Sequence, residues 1–333
     1  MALTSRLRWL IGRDEQPHGL WPIEWLALAY NAITLLFMAI LWPRMDHPQT
    51  MLADRAYILA ATFLMWGIYT LWPRRLMTFV RITVQMCLLC YWYPDTYEFN
   101  STLPNLDHIF ARWDTVLFSC QPALEFHRLC PWPWFCEAVN MGYFSYYPMI
   151  VVVMVFFFLC RNKHYVEASF TVLCSFFLYY LIYIVLPVAG PQFYFWAVQS
   201  EAIESGQFPA LGTYFSLHTE MLPTPGDPTG LFYRLVEQAQ EMGERPTAAF
   251  PSSHIGITLI LLLLVYPQSR RLFYVLLPFA VLLAMATVYI QAHYLVDAIA
   301  GVLTAYPVYR LSRWIFRKVE GRYASRIPSV KPE

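Results

Sequence analysis

The stretch AAFPSSHIGITLI, residues 248–260, sets Pro251, Ser252, Ser253 and His254 directly against an apolar run, and YIQAHYLVDAIAG, residues 289–301, does the same with His293 and Asp297. Four residues apart on a helix, His293 and Asp297 share a face, so the carboxylate can accept the imidazole N–H. PSSH opens a helix whose first backbone N–H groups have no intrahelical partner, and Ser252 and Ser253 add hydroxyl donors. Helix N-termini of this kind bind phosphate. Two imidazoles and a carboxylate suit two chemistries. In the first, Asp297 fixes the tautomer of His293, whose free nitrogen attacks phosphorus while His254 protonates the departing oxygen, giving a phosphohistidine. In the second, the three side chains bind Zn or Fe as a facial triad. The PSSH turn speaks against the second, because a metal gains nothing from adjacent helix N–H groups.

Each residue alone has an ordinary reading. A lone His near a membrane interface is an interfacial polar residue, an Asp in a terminal turn is a cap or a partner for a neighbouring helix, and a Ser cap with Pro fixes a helix start. What points to a site is their conjunction at one depth, and that depth follows from the composition. Of 333 residues 58% are hydrophobic, 18% aromatic and only 14% charged, too oily a balance for a soluble domain. Eight stretches approach the roughly 20 apolar residues a spanning helix needs: 21–42, 56–73, 76–93, 141–160, 168–187, 254–267, 272–290 and 293–310. The first is too long for a cleaved signal and reads as a retained anchor. The expected fold is therefore all-α and polytopic, with about eight membrane helices and further helices lying in the interface.

With both termini on one side, Lys and Arg sort as 17 on the terminal side and 6 on the other, which places the termini in the cytoplasm. His254 then opens the sixth span at the outer side. The chain turns through PQSRR (267–271) and the seventh span returns outward, bringing His293 to the same level. Such short connections require the last three spans to pack as antiparallel neighbours. The expected organisation is a three-span region (1–93), an outer interfacial segment (94–140), a five-span core (141–318) with an outer loop at 188–250, and a basic tail (319–333). A net charge of +1 names no partner, and the C-terminal basic cluster reads as a topology anchor, not a nucleic-acid patch. Cys120, Cys130 and Cys136 fall in the outer segment, where at most one pair can form a disulfide.

The outer loop offers further substrate-binding candidates. Arg245, in GERPTAAFPSSH, can swing onto a phosphate oxygen or remain a solvated Arg paired with Glu244. Gln192 stands with Gly190 and Pro191 where the fifth span ends, and Tyr289 opens the stretch that carries His293.

FPSSH followed about forty residues later by HYLVDAIAG resembles the type 2 phosphatidic acid phosphatase superfamily of membrane lipid phosphatases, over roughly residues 140–312. In that family a PSGH-like motif and an SRxxxxxHxxxD motif hold two histidines and an aspartate. The resemblance implies His254 as the leaving-group acid, His293 as the nucleophile and Asp297 as its orienting partner. The family's Ser-Arg pair falls here on Ala286 and Thr287, and no KxxxxxxRP motif precedes PSSH, so its phosphate-binding cations are missing. That loss, with HYLVDAIAG and the preceding NLDHIFARWDTVLF (105–118), looks like the inositol-phosphorylceramide and sphingomyelin synthase branch. A phosphodiester carries one negative charge and a terminal phosphomonoester nearly two, so fewer arginines fit a phosphodiester donor.

The leading expectation is an integral-membrane phosphotransferase. It moves a phospho-head group from a glycerophospholipid to a ceramide-like lipid alcohol through a phosphohistidine, in an inner or plasma membrane with the site toward the outer, periplasmic or lumenal face. A lipid-phosphate phosphatase, with water as acceptor, uses the same residues; a non-catalytic lipid transporter or scaffold on the same fold is the rival from another class. No cofactor and no metal are expected, because each proton has an imidazole to carry it and no carboxylate cluster exists to hold Mg. The expected partners are the two lipid substrates and the bilayer, with no nucleic acid.

Overall fold

The computed structural model describes residues 8–14 and 19–324, and the expected basic tail lies in part outside them. The described residues form fourteen α-helices: α1 (Pro22–Leu41), α2 (Pro48–Leu71), α3 (Arg75–Cys87), α4 (Leu89–Asn100), α5 (Asp107–Phe118), α6 (Pro122–Leu129), α7 (Pro133–Phe144), α8 (Tyr146–Cys160), α9 (Tyr165–Val185), α10 (Pro191–Glu204), α11 (Leu231–Gly243), α12 (Ser253–Val265), α13 (Arg270–Tyr289) and α14 (Leu295–Ala324). Proline stands in the first turn of α1, α2, α6 and α7, where its fixed φ suits the helix and its missing N–H is no loss. The chain is all-α and polytopic.

Among the described residues five helical segments are long and apolar enough to cross a membrane: Pro22–Arg44, Pro48–Leu71, Arg75–Asn100, Asn162–Val185 and Arg270–Tyr289. α7 and α8, bent by 45° at their junction, make a sixth when taken as one broken span. The two other expected spans are those that carry the candidate site. α12 is apolar but only 13 residues long, and α14 interrupts its apolar face with Asp297 and, from Arg310 onward, a run of basic residues. The third span reaches Asn100 rather than 93, so the first residues assigned to the outer segment continue a membrane helix. Beyond it, α5, α6 and the start of α7 leave Trp113, Val116, Leu117, Leu129, Trp132 and Trp134 exposed, as befits helices lying along a membrane surface.

α9 is the central post. Its span is 78% buried, against 28% for the first, so it is apolar all round because protein, not lipid, surrounds it. It packs on α14, α4, α12 and α1. Two ion pairs tie the N-terminal spans together inside this apolar medium. Arg55 bonds Asp95 through both carboxylate oxygens, at 2.7 and 3.0 Å. Arg81 pairs with Glu24 and lies 4.2 Å from the Trp21 ring. Burying either charge alone would cost several kcal/mol, about 3–5 for a broken pair. The seven cysteines are all free.

α12, α13 and α14 are consecutive packed neighbours, as their short connections require. The fit of α14 on the start of α12 depends on Gly301: a Cβ there would stand 2.6 Å from the Ser252 carbonyl oxygen.

Candidate functional site

Because α12 and α13 form a hairpin, His254 in the first turn of α12 and His293 in the turn after α13 meet at one end of the bundle. His293 Nε2 lies 3.4 Å from His254 Nδ1. His293 is buried, and its Nδ1 is 2.8 Å from the Ala249 carbonyl oxygen. A carbonyl can only accept, so Nδ1 carries the hydrogen and the neutral ring presents its lone pair at Nε2. The N–H toward His293 must then come from His254. The His254 ring is held by Tyr143, stacked at 5.0 Å between centroids, and by Tyr146 at 4.6 Å.

The hydrogen bond expected between Asp297 and His293 is not made. Asp297 Oδ2 stands 3.8 Å from Nδ1 and accepts the Tyr294 N–H at 2.9 Å instead, while Oδ1 has no hydrogen-bond partner. The reason lies in the backbone. Helix α14 begins only at Leu295, so His293 and Asp297 do not lie on one regular helix, and the i, i+4 geometry assumed from spacing does not apply. The main chain of Asp297 also accepts from Ser252 N at 3.1 Å, which joins the two histidine-bearing segments directly.

Ser252 is the N-cap of α12, its hydroxyl accepting from Ile255 N at 3.5 Å. Ser253 N donates to the Tyr183 hydroxyl at 3.0 Å, which itself donates to Pro251 O. Two of the amides expected to cradle an anion are thus already engaged by protein oxygens. Strained backbone precedes each histidine, with Ala248 at φ +68° before His254 and Gln291 at φ +66° before His293. Gly190, at φ +103°, packs between these segments against Ala249 and Ala292.

Among the described residues no hydrogen bond joins Arg245, Tyr289 or Gln192 to His254 or His293. Arg245 is exposed, and its guanidinium donates to the Glu244 carbonyl oxygen at 3.0 Å. Tyr289 sits among Phe126 and Phe135, and its hydroxyl donates to Cys130 O at 2.9 Å. Gln192 is buried beside the turn, its N–H on Gln291 O at 2.9 Å and its side-chain oxygen accepting from Gln240 Nε2 at 3.2 Å.

Sequence reasoning missed two residues, Asp107 and Asp114, both fully buried on α5. Asp114 accepts the Leu295 and Val296 N–H groups at 2.9 and 3.0 Å, the first two amides of α14. Asp107 accepts from Ala189 N at 2.6 Å, Gly190 N at 2.8 Å, Asn105 Nδ2 at 2.5 Å and the Tyr294 hydroxyl at 3.0 Å. Burial pushes both carboxyls up to about 6, against the pull of these donors toward the ionised form. Among the described residues no Lys or Arg side chain hydrogen-bonds to the two histidines, the two serines or the three aspartates.

A phosphate-transfer site fits this arrangement: one imidazole with its lone pair fixed at Nε2, a second imidazole facing it, and a helix N-terminus beside them. No curated protein and no solved structure matches the chain. The model of the PAP2 superfamily matches residues 108–311, more than half of the 333-residue chain. The match begins inside α5, so it takes in the outer helix that reaches the site as well as the two histidine motifs. The chain therefore belongs to the PAP2 superfamily, whose membership carries a lipid phosphatase or phosphotransferase type of activity in a membrane.

Proposed function

We propose that the protein is a membrane phosphotransferase that takes a phosphorylated head group from a glycerophospholipid and delivers it to a ceramide-like lipid alcohol. His254 enters the step protonated on both ring nitrogens; His293 Nε2 attacks phosphorus and the bond to the diacylglycerol oxygen breaks, that oxygen taking its proton from His254. His254, now neutral, removes the proton of the acceptor hydroxyl, which attacks the phosphohistidine and breaks the phosphorus–nitrogen bond. Each proton returns to where it began, so the cycle closes. In this reading the site opens toward the outer, periplasmic or lumenal side and both termini are cytoplasmic.

The observation that carries transfer over hydrolysis of a simple lipid phosphate is the charge around the histidines. Three buried carboxyl groups stand there, and none of the described lysines or arginines hydrogen-bonds into the group. A terminal phosphomonoester would bring a charge near −2 into this setting, a phosphodiester only −1. The site therefore favours the diester donor, whose head group is retained through the reaction.

The test uses purified protein in vesicles holding phospholipids labelled in the head-group phosphate, with and without a short-chain ceramide. A labelled second lipid that forms only with the acceptor is the expected result. Labelled water-soluble phosphate at the same rate with or without acceptor, or faster turnover of phosphatidic acid than of any diester, would instead establish a phosphatase.

A further inference from the structure

The two aspartates of α5 have no part in the proton transfers above, yet the position of the nucleophile depends on them. His293 and the segments around it lie in irregular chain, where no helical ladder fixes the backbone. Besides the bonds of His293 N to Thr287 O and Gln192 N to Gln291 O, a closed circuit of hydrogen bonds holds it. The His293 ring donates to Ala249 O; Ala249 N donates to Val188 O at 3.0 Å; the next two amides, of Ala189 and Gly190, donate to Asp107. Asp107 also accepts from the hydroxyl of Tyr294, the residue that follows His293. Both ends of the circuit thus return to one carboxylate.

Seven residues further along the same helix, on the same face, Asp114 takes the first two amides of α14. α5 therefore grips the nucleophile's turn at two points. Asp297, which spacing casts as the orienting acid, stands 3.8 Å from the ring and makes no hydrogen bond to it.

We propose that Asp107 is the positioning residue that orients the His293 imidazole, acting through the 188–190 segment, Ala249 and Tyr294, with Asp114 holding the start of α14 in register beside it. The proposal rests on the reading of His293 as nucleophile. An asparagine at 107 keeps the size but turns an N–H₂ toward donors that need an acceptor, so the circuit must open somewhere. A displacement of the ring by about 1 Å costs on the order of 100-fold in rate.

The experiment compares the full-length wild type with Asp107→Asn, Tyr294→Phe, the double variant and Asp297→Asn, in vesicles carrying labelled phosphatidylinositol, phosphatidylethanolamine or phosphatidylglycerol with a fluorescent short-chain ceramide. In parallel, ¹⁵N spectra of histidine-labelled protein in detergent report the tautomer of His293. Asp107→Asn is expected to lower kcat about 30- to 100-fold with KM within about threefold, and to turn the single Nδ1–H tautomer into a mixture. Tyr294→Phe, which removes one donor and no charge, is expected to lower kcat about fivefold, and the double variant to be no worse than Asp107→Asn alone. Should Asp107→Asn not fold, Tyr294→Phe decides by the same two readouts. The proposal is overturned if these variants keep kcat within about twofold, if the tautomer is unchanged, or if Asp297→Asn alone scrambles it. Absence of transfer by the wild type would overturn the phosphotransfer reading instead, and the tautomer spectra would still decide the role of Asp107.

Discussion

Replacing His293 with alanine is expected to lower turnover by about four orders of magnitude or more, because the covalent route loses its only nucleophile. The lone pair is set at Nε2 by the Nδ1 bond to Ala249 O and faces His254, whose Nδ1 is 3.4 Å away. His254→Ala is expected to cost about 10²–10⁴-fold, the usual worth of a positioned acid and base. The double variant should be little worse than His293→Ala, since without the nucleophile there is no leaving oxygen to protonate. Initial rates of labelled-lipid formation check all three. Losses below tenfold for His293→Ala would mean that another group attacks phosphorus.

A second large effect is expected at a residue with no side chain at all. Gly190 has φ +103°, a conformation that an L residue adopts only under strain, and a Cβ there would stand 2.7 Å from Ala292 O and 3.4 Å from the Ala249 Cβ. Both neighbours are backbone-linked to the His293 ring: Ala292 precedes it, and Ala249 accepts its N–H. Gly190→Ala must push the two segments apart, and the histidines separate with them. Turnover is expected to fall about 100-fold, while the melting temperature in detergent drops by only a few degrees, the consequence of about 1–2 kcal/mol of backbone strain. A variant that keeps full turnover would show that the 190–249–292 contact does not set the catalytic geometry.

The parts of this site that were legible in the sequence are those set by strong local signals. Apolar runs of spanning length, joined by PQSRR, dictate the α12–α13 hairpin, and the hairpin dictates that His254 and His293 share a level. Residue type alone could not locate the partner of His293 Nδ1, because a backbone carbonyl leaves no mark on the sequence: any residue at 249 would present one. The same reason hid Asp107 and Asp114. Their partners are mostly main-chain amides more than 80 positions away, and the pattern NLDHIFARWDTVLF shows only an amphipathic outer helix. Arg245 and Tyr289 were read as substrate contacts from type and proximity in sequence. The 188–250 loop has little periodicity to fix where a side chain falls, and the fold sends Arg245 to the surface and Tyr289 into the packing of α6 and α7.

The charge pattern also acquires a physical meaning. The absence of the Ser-Arg pair at Ala286 and Thr287 is matched by a cation-poor site, and Thr287 serves instead as backbone support, its carbonyl accepting His293 N at 2.9 Å. Where a family member with arginines holds a dianion by charge, the donor proposed here would bring a lower charge to the two imidazoles.

Capture of the covalent intermediate tests the central claim most directly. Purified protein mixed with a phospholipid labelled in its head-group phosphate, without acceptor, and quenched within milliseconds should carry label that survives alkali and is released by acid, as a phosphorus–nitrogen bond requires. The label should map to the peptide containing His293 and be missing from His293→Ala. Labelled protein from that variant, or full transfer by the wild type with no labelled protein at any time, would contradict the account.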